Sequence, residues 1–300
     1  MNNLVSIILV NYNGFNDTCE LIDSLRRVET HPYEVIIVDN ASRNRDGERL
    51  KDKFPDVTII CSKENLGFAG GNNLGIGKAK GDYLFFLNND TVITKPVLSV
   101  LVECLQRDPN IGCVSPKTTF WPEYTVLQYA GATPMSRITL RNEFLGYGKK
   151  DNGEYDRAGE TAFANGAAMM IRRKDIEIFG VMPEDYFLYY EELDWCRRMQ
   201  EHGFGIWYEP QAVIGHKESA SVGLQSPLQV YYHTRNRLIF ASRNISGVKD
   251  RILSYLYQVL VAIPKKLLIY LFKFEFKLIN PLLKGAKDGL SVIRTKRKPG

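Results

Sequence analysis

Val5-Ser6-Ile7-Ile8-Leu9-Val10 and, further on, Val35-Ile36-Ile37-Val38-Asp39 decide the fold. Each run is β-branched, apolar nearly throughout, and closed by a polar residue. A strand with one wet face alternates, whereas a strand covered by helices on both faces does not. Val57 to Cys61 and Asp82 to Leu87 repeat the pattern, and the first intervening stretch carries Cys19, Leu21, Ile22, Leu25 and Val28 at helical spacing. Asn16 or Asp17 is placed to cap that helix. Thr94 and Pro96 open another helix running to about Arg107, with Ile111 to Val114 as the next strand. The alternation predicts an α/β fold with a mostly parallel central sheet and helices on both faces. Ligands of such sheets bind outside the carboxyl ends of strands, where Asp39 and Asn88-Asn89-Asp90 fall.

A chain of 300 residues with 44% hydrophobic content buries a substantial core, as one α/β domain or as a domain with an appended tail. We place the boundary at 1–245 and 246–300. The five cysteines, Cys19, Cys61, Cys104, Cys113 and Cys196, contain no C-x-x-C pair. Neither a disulfide framework nor a zinc ribbon is indicated, and a reducing compartment is the simpler inference. The opening Met1 to Val10 lacks a basic n-region and a small-residue cleavage site, so the first apolar run is expected to be a strand and the protein cytosolic.

Net charge is +5, unevenly distributed. Lys249 to Gly300 holds 12 Lys and Arg against Asp250, Glu275 and Asp288, hence +9, leaving −4 for the remainder. A basic face running through the folded body is missing, which argues against a nucleic-acid partner. The tail is the part expected to touch something anionic.

A dinucleotide-binding loop is also missing: Asn11-Tyr12-Asn13-Gly14-Phe15 follows the first strand with one glycine instead of three. The glycine-rich stretch lies later, from Asn65 to Gly77, without G-K-[ST]. It reads as a loop entering a helix, with glycines that let backbone approach a nucleotide, or as a flexible connection.

Six blocks in order resemble the motifs of family 2 glycosyltransferases, closest to the rhamnosyltransferase-like branch. They are Val5 to Asn13, Val35 to Ser42, Asn65-Leu66-Gly67-Phe68-Ala69-Gly70-Gly71-Asn72, Leu87-Asn88-Asn89-Asp90-Thr91, Asn165-Gly166-Ala167 to Arg173, and Phe187 to Cys196 with its Glu191-Glu192-Leu193-Asp194. The similarity covers roughly Leu4 to Phe240. It implies a GT-A fold, a nucleoside-diphosphate sugar donor (dTDP- or UDP-linked), a divalent cation, Mn²⁺ or Mg²⁺, and inversion at the anomeric carbon. It further implies donor binding by Val10, Asn11, Tyr12, Asp39, Asn65, Gly67, Gly70, Asn72, Asn88 and Asn89, with Asp39 accepting from the base. Gly166, Ala167 and Asp194 then lie on the acceptor side.

A leaving nucleoside diphosphate gathers negative charge, which a hard cation lowers in energy as it develops. Asp90 is the expected oxygen ligand and His216 the residue that completes the metal site; Asn88-Asn89-Asp90 carries Asn where many members have Asp. Glu191 and Glu192 open a helix expected to end at His202-Gly203. Acids in a first turn also suit the helix dipole without any catalytic role. The resemblance gives the role of general base to Glu192, with Glu191 as the alternative. Arg235 is a candidate for the diphosphate, and His216 precedes a loop holding Ser219 and Ser221.

In the tail, Ile252 to Pro264 is uncharged, then Lys265-Lys266 interrupts it, so no stretch is expected to reach the roughly 20 residues of a membrane span. Amphipathic helices lying on the inner face of the cytoplasmic membrane, assisted by Lys296-Arg297-Lys298, are the expectation; a homodimer contact is the alternative. A glycan or lipid-linked glycan acceptor suits such a tail, and the weakly patterned Lys117 to Ala162 is expected to cover the acceptor side. A sugar nucleotidyltransferase shares the α/β pattern, but its glycine- and arginine-rich loop after the first strand is missing. A membrane-associated protein that binds nucleotide sugars without turnover is the third reading.

Overall fold

The computed structural model describes residues 3–217 and 226–295. Ser219, Ser221 and Lys296 to Lys298 lie outside the described residues. The first half alternates as the sequence predicts: β1 (Val5–Asn11), α1 (Phe15–Val28), β2 (Tyr33–Asp39), α2 (Asp46–Lys53), β3 (Thr58–Cys61), α3 (Gly67–Ile76), β4 (Tyr83–Leu87), then β5 (Thr91–Val92), α4 (Leu98–Arg107) and β6 (Ile111–Phe120). After it come β7 (Leu127–Tyr129), β8 (Gly159–Thr161), β9 (Ala168–Arg172), the short α5 (Ile176–Phe179), α6 (Glu191–Glu201) and β10 (Gly205–His216).

The strands form one sheet in the order β3-β2-β1-β4-β9-β6-β10-β5, with β7 on β6 and β8 on β10. β1 pairs in parallel with β2 and β4, and β2 with β3. β9 then runs antiparallel between β4 and β6, and β10 is parallel to β6. The sheet is therefore mixed, parallel in the half that the apolar runs describe. Ile7 and Leu9 face one side with Leu21 and Leu25 of α1 and Leu101 and Leu105 of α4. Ile8 faces the other with Ala69 of α3 and Trp195 and Met199 of α6. Successive side chains of a strand point to opposite faces, so a doubly covered strand must be apolar at every position.

Two local expectations change. Helix α1 starts at Phe15, so Gly14 stands at the cap position and no side-chain cap forms, while Asp17 pairs with Lys217 at 2.5 Å. Helix α4 starts at Leu98. Strand β10 is interrupted by a bulge between Glu209 and Val213.

The tail departs further. Helix α7 (Pro227–Asn244) is capped by the Ser226 side chain, which accepts from Gln229 N at 3.1 Å. Then α8 (Val248–Tyr257), a π turn (Gln258–Ala262) and α9 (Ile263–Phe272) join into one helix, Val248–Phe272, of 25 residues, long and apolar enough by length and composition to cross a membrane. This corrects the expectation that no stretch reaches that length. Lys265-Lys266 interrupts the apolar run but not the helix, and Pro264, which has no N–H to donate, sits in the first turn of α9 directly after the π turn. Its amphipathicity is inverted. Ser254, Gln258, Ala262 and Tyr270, four or eight residues apart, are buried against the protein, while Leu256, Leu260, Leu268 and Phe272 stand exposed. The final helix, α10 (Ile279–Thr295), packs on α7 through Gly285 and Gly289, where a Cβ would approach the carbonyl oxygens of Tyr231 and Arg235 to 2.5 and 2.9 Å.

Candidate active site

Asp90 follows β4, and His216 closes β10; the short ladder between β5 and β10 pairs His216 with Thr91 and sets the two side chains together. His216 Nε2 lies 3.0 Å from Asp90 Oδ1, and both residues are buried. Gln128 of β7 places its Oε1 2.6 Å from His216 Nδ1. A carbonyl oxygen only accepts, so Nδ1 carries a proton toward it, and Nε2 is the nitrogen turned to Asp90. Asn88 Nδ2 lies 3.4 Å from that nitrogen. Lys217 locks the strand end behind them: its N–H donates to Asp90 O at 3.0 Å, and its ammonium bridges Asp17 and Glu20 of α1 at 2.5 and 2.7 Å.

Burial alone would raise the Asp90 carboxyl, but the His216 hydrogen bond and the charges of His216 and Lys217 outweigh it, and its pKa lies below the ordinary carboxylate range. Among the described residues no cluster of three or more His, Cys, Asp or Glu side chains forms a closed metal cage. One carboxylate and one imidazole fit Mn²⁺ or Mg²⁺ that takes its other ligands from phosphate and water. The residues present are thus those that would hold such a cation.

A short chain of contacts leads from this pair to the two acids. Asn88 N donates to Ala167 O at 2.9 Å, and the neighbouring Gly166 lies against Glu192, whose Cγ a Cβ at Gly166 would meet at 3.4 Å. Glu191 and Glu192 begin α6 after Tyr190, which has a φ of 78°. Glu191 is buried, and its Oε2 has no hydrogen-bond partner among the described residues. Glu192 is half-buried. Desolvation raises the pKa of both, most strongly at Glu191, where the Glu192 charge adds to it; backbone N–H groups of the helix start pull both down in part. Of the two, Glu192 is the one that reaches solvent.

On the other flank, Asn11 at the end of β1 donates from Nδ2 to Asp39 Oδ1 at 2.9 Å and to Ser42 Oγ at 3.1 Å, and accepts from Thr18 at 2.9 Å. Asp39 is buried at the end of β2 with Gly47 against it, where a Cβ would come within 3.0 Å of its Oδ2. Tyr12 is half-buried at the same edge. These residues, Asp90, His216, Glu191 and Glu192 share one rim of the sheet.

Several sequence candidates are occupied elsewhere. Asn65 Oδ1 accepts from Gly67 N and Asn40 Nδ2, Asn72 Nδ2 donates back to Phe68 O, and Gly67, with a φ of 73°, leaves room for Phe187 O. A Cβ at Gly70 would reach 2.7 Å from Leu66, and one at Gly71 would reach 2.9 Å from Val10, so this stretch is glycine-rich to seat α3 on β1 and on its own loop. Asn89 Nδ2 donates to Thr18 Oγ1 at 3.0 Å, bracing α1. Asp194 accepts from Tyr186 OH at 2.5 Å and Asn244 at 3.0 Å and pairs with Arg198, tying α6 to α7 instead of facing an acceptor. Arg235 donates to Asp185 O at 3.0 Å and to Asn236 Oδ1 at 2.7 Å, not toward the donor side. The buried Asn236 donates to the carbonyls of Tyr186, Leu188 and Tyr189, holding a strap in which Phe187, Tyr189 and Tyr190 all have positive φ.

Gln128 and Lys217 were not legible as site residues. Gln128 lies in the weakly patterned segment, and only the pairing of β7 with β6 and of β6 with β10 brings it to His216.

Residues 6–179 match the family described as Glycosyl transferase family 2. The low-salt glycan biosynthesis hexosyltransferase Agl10 of Haloferax volcanii is 27% identical, over 95% of this chain and 91% of its own length. The dTDP-rhamnosyl transferase RfbF of Shigella flexneri is 24% identical, over 89% and 90%. Among solved structures, the mannosyltransferase of Pyrobaculum calidifontis in complex with GDP-Man and Mn²⁺ superposes with a TM-score of 0.55 at 17% identity, covering 95% of this chain and 86% of that one. GalNAc-T7 with UDP, GalNAc and Mn²⁺ gives 0.60 at 14%, covering 86% of this chain and 56% of the other. The fold is GT-A.

Proposed function

The chain belongs to glycosyl transferase family 2 and is a glycosyltransferase, and from that premise we propose an inverting, divalent-metal-dependent enzyme that moves a sugar from a dTDP- or UDP-linked donor, with rhamnose the leading sugar, to a hydroxyl of a glycan or lipid-linked glycan. The observation that carries the reading is the contact chain from the Asp90–His216 pair through Asn88 and Ala167 to Gly166 and Glu192. It puts the Asp90–His216 pair and the raised-pKa Glu192 carboxylate at opposite ends of a gap of a few residues. The nucleotidyltransferase alternative falls with the family.

In this reading Asp39 and Asn11 receive the nucleoside, and Asp90 and His216 hold Mn²⁺ or Mg²⁺. Bound there, the cation supplies positive charge for the diphosphate that departs. Glu192 removes the proton of the acceptor hydroxyl, which attacks the anomeric carbon from the side opposite the leaving nucleotide. Glu191 lies buried beside it, and desolvation raises the Glu192 carboxyl. The exposed apolar face of Val248–Phe272 supports work at the inner face of a cytoplasmic membrane, and five free cysteines suit that side.

The test is release of nucleotide from dTDP-rhamnose and UDP-sugars with Mn²⁺, with Mg²⁺ and with chelator, alongside the anomeric configuration of any transferred sugar. Nucleotide release that requires metal and an inverted product support the reading. A retained configuration, or equal turnover in chelator, overturns it.

A further inference from the structure

Helix α9 turns one lysine inward. Lys266 continues the stripe of Ser254, Gln258, Ala262 and Tyr270 and is half-buried against α7. Across from it, His233 and Lys266 line a cavity of about 250 Å³ together with Gln229, Lys273 and Glu275. Arg237 adjoins through a narrow cleft that also reaches Lys266. Lys266 makes no hydrogen bond or ion pair among the described residues, and Arg237 donates from Nε to the neutral Tyr190 OH at 2.8 Å. Glu275 is the single acid of the cavity wall. The wall thus carries Lys266 and Lys273 against one acid. Burial together with Arg237 and Arg141 holds the Lys266 ammonium down to about 8, and burial with Arg237 and Lys266 pushes His233 down to about 4.

The cavity sits between the acids and the apolar face. Tyr189 stacks on His233, ring centroids 4.3 Å apart, and the same Tyr189 phenol is raised to about 12 by burial and by the charges of Glu191 and Glu192. On the other side, Ile269 of the cavity wall continues into exposed Phe272, Phe274 and Phe276. A volume below the roughly 300–1,000 Å³ of sites that enclose a whole small molecule suits a head group whose remainder lies outside.

We propose that this cavity, formed by α7 and α9 around His233 and Lys266, binds the phosphate or diphosphate group of an amphiphilic acceptor whose hydrocarbon chain lies on the apolar outer face of α9. The sugar attached to that phosphate then reaches past Tyr189 toward Glu192. The inference rests on the reading of the chain as a transferase acting on a lipid-linked glycan.

The test uses the full chain in mild detergent with chelator present, so that the Asp90–His216 pair binds no phosphate through metal. Farnesyl diphosphate, inorganic pyrophosphate and farnesol are compared by calorimetry. Farnesyl diphosphate is expected to bind at least about tenfold more tightly than either fragment, Lys266→Gln to lose about tenfold of that affinity, and Lys266→Arg to retain it. The thermal midpoint monitors folding; should Lys266→Gln unfold, Lys273→Gln at the exposed rim carries the test with a loss of about threefold. Unchanged affinity in a folded variant overturns the proposal. Pyrophosphate binding as tightly as the prenyl compound makes this a free-anion site, and farnesol binding as tightly makes it an apolar groove; either result overturns it. Nucleotide release from donor by the parent chain, measured without any lipid, reports on the transferase reading separately.

Discussion

Two carboxylate sites on one rim of the sheet are driven in opposite directions by their surroundings. Asp90 is buried but meets an imidazole and a nearby lysine, and its pKa falls. Glu191 and Glu192 are desolvated next to each other with only helix N–H groups to help, and both rise. Burial is common to the two; partners decide the sign. In the proposed function the first site stays anionic and holds positive charge, and the second exchanges a proton. A transfer from a nucleoside diphosphate needs one of each.

The comparison breaks most visibly at Glu192. Glu192→Gln should lower turnover by about 10²- to 10⁴-fold while the affinity for donor with Mn²⁺ stays near that of the parent. If Glu191→Gln is instead the inactive variant, the buried orphan is the base and the half-buried acid only tunes it. Asp90→Asn should act on the other quantity, costing on the order of 10²-fold in metal-dependent donor affinity. Donor binding that is equally tight in Asp90→Asn, or indifferent to metal in the parent, removes the distinction between the sites. Gln128→Leu sharpens it with a smaller effect. Loss of the acceptor at Nδ1 frees the His216 ring to change tautomer, and metal affinity should fall about tenfold, as measured by Mn²⁺ titration of the protein–nucleotide complex.

How much of this the sequence shows depends on how local each cause is. Asp39, Asn88 and Asp90 end apolar strands, so their place at the rim follows from the strand pattern. The Glu191-Glu192 pair opens a helix with clear boundaries. Gln128 depends on two strand pairings, β7 with β6 and β6 with β10, between segments far apart in the chain, and nothing around it announces a strand. The glycines from Gly67 to Gly75 look the same in sequence whether they admit a ligand or a neighbouring element, and here they admit Phe187, Val10 and Ile8. Arg235 has the right chemistry for a diphosphate but is consumed by the strap from Asp185 to Tyr190. That strap's positive φ values fall on Phe and Tyr, residues that signal no turn. In the tail Lys265-Lys266 interrupts the apolar run in composition, while the helix continues through both residues.

The smallest effect is on stability, and it isolates Glu191 from catalysis. Its carboxyl titrates higher in the folded chain than in the unfolded one, so folding favours the protonated form. Below the ordinary carboxylate range both states carry the proton and the group costs nothing. As pH rises toward the folded pKa, the unfolded chain ionises first and gains stability relative to the native state, and that difference persists above it. Glu191→Gln is permanently neutral at nearly the same size. Its thermal midpoint should therefore match the parent near pH 4 and exceed it increasingly up to pH 8, wherever the chain remains soluble. A midpoint difference that does not change with pH would mean that Glu191 is ionised and compensated in the folded protein, and the contrast with Asp90 would then rest on Glu192 alone.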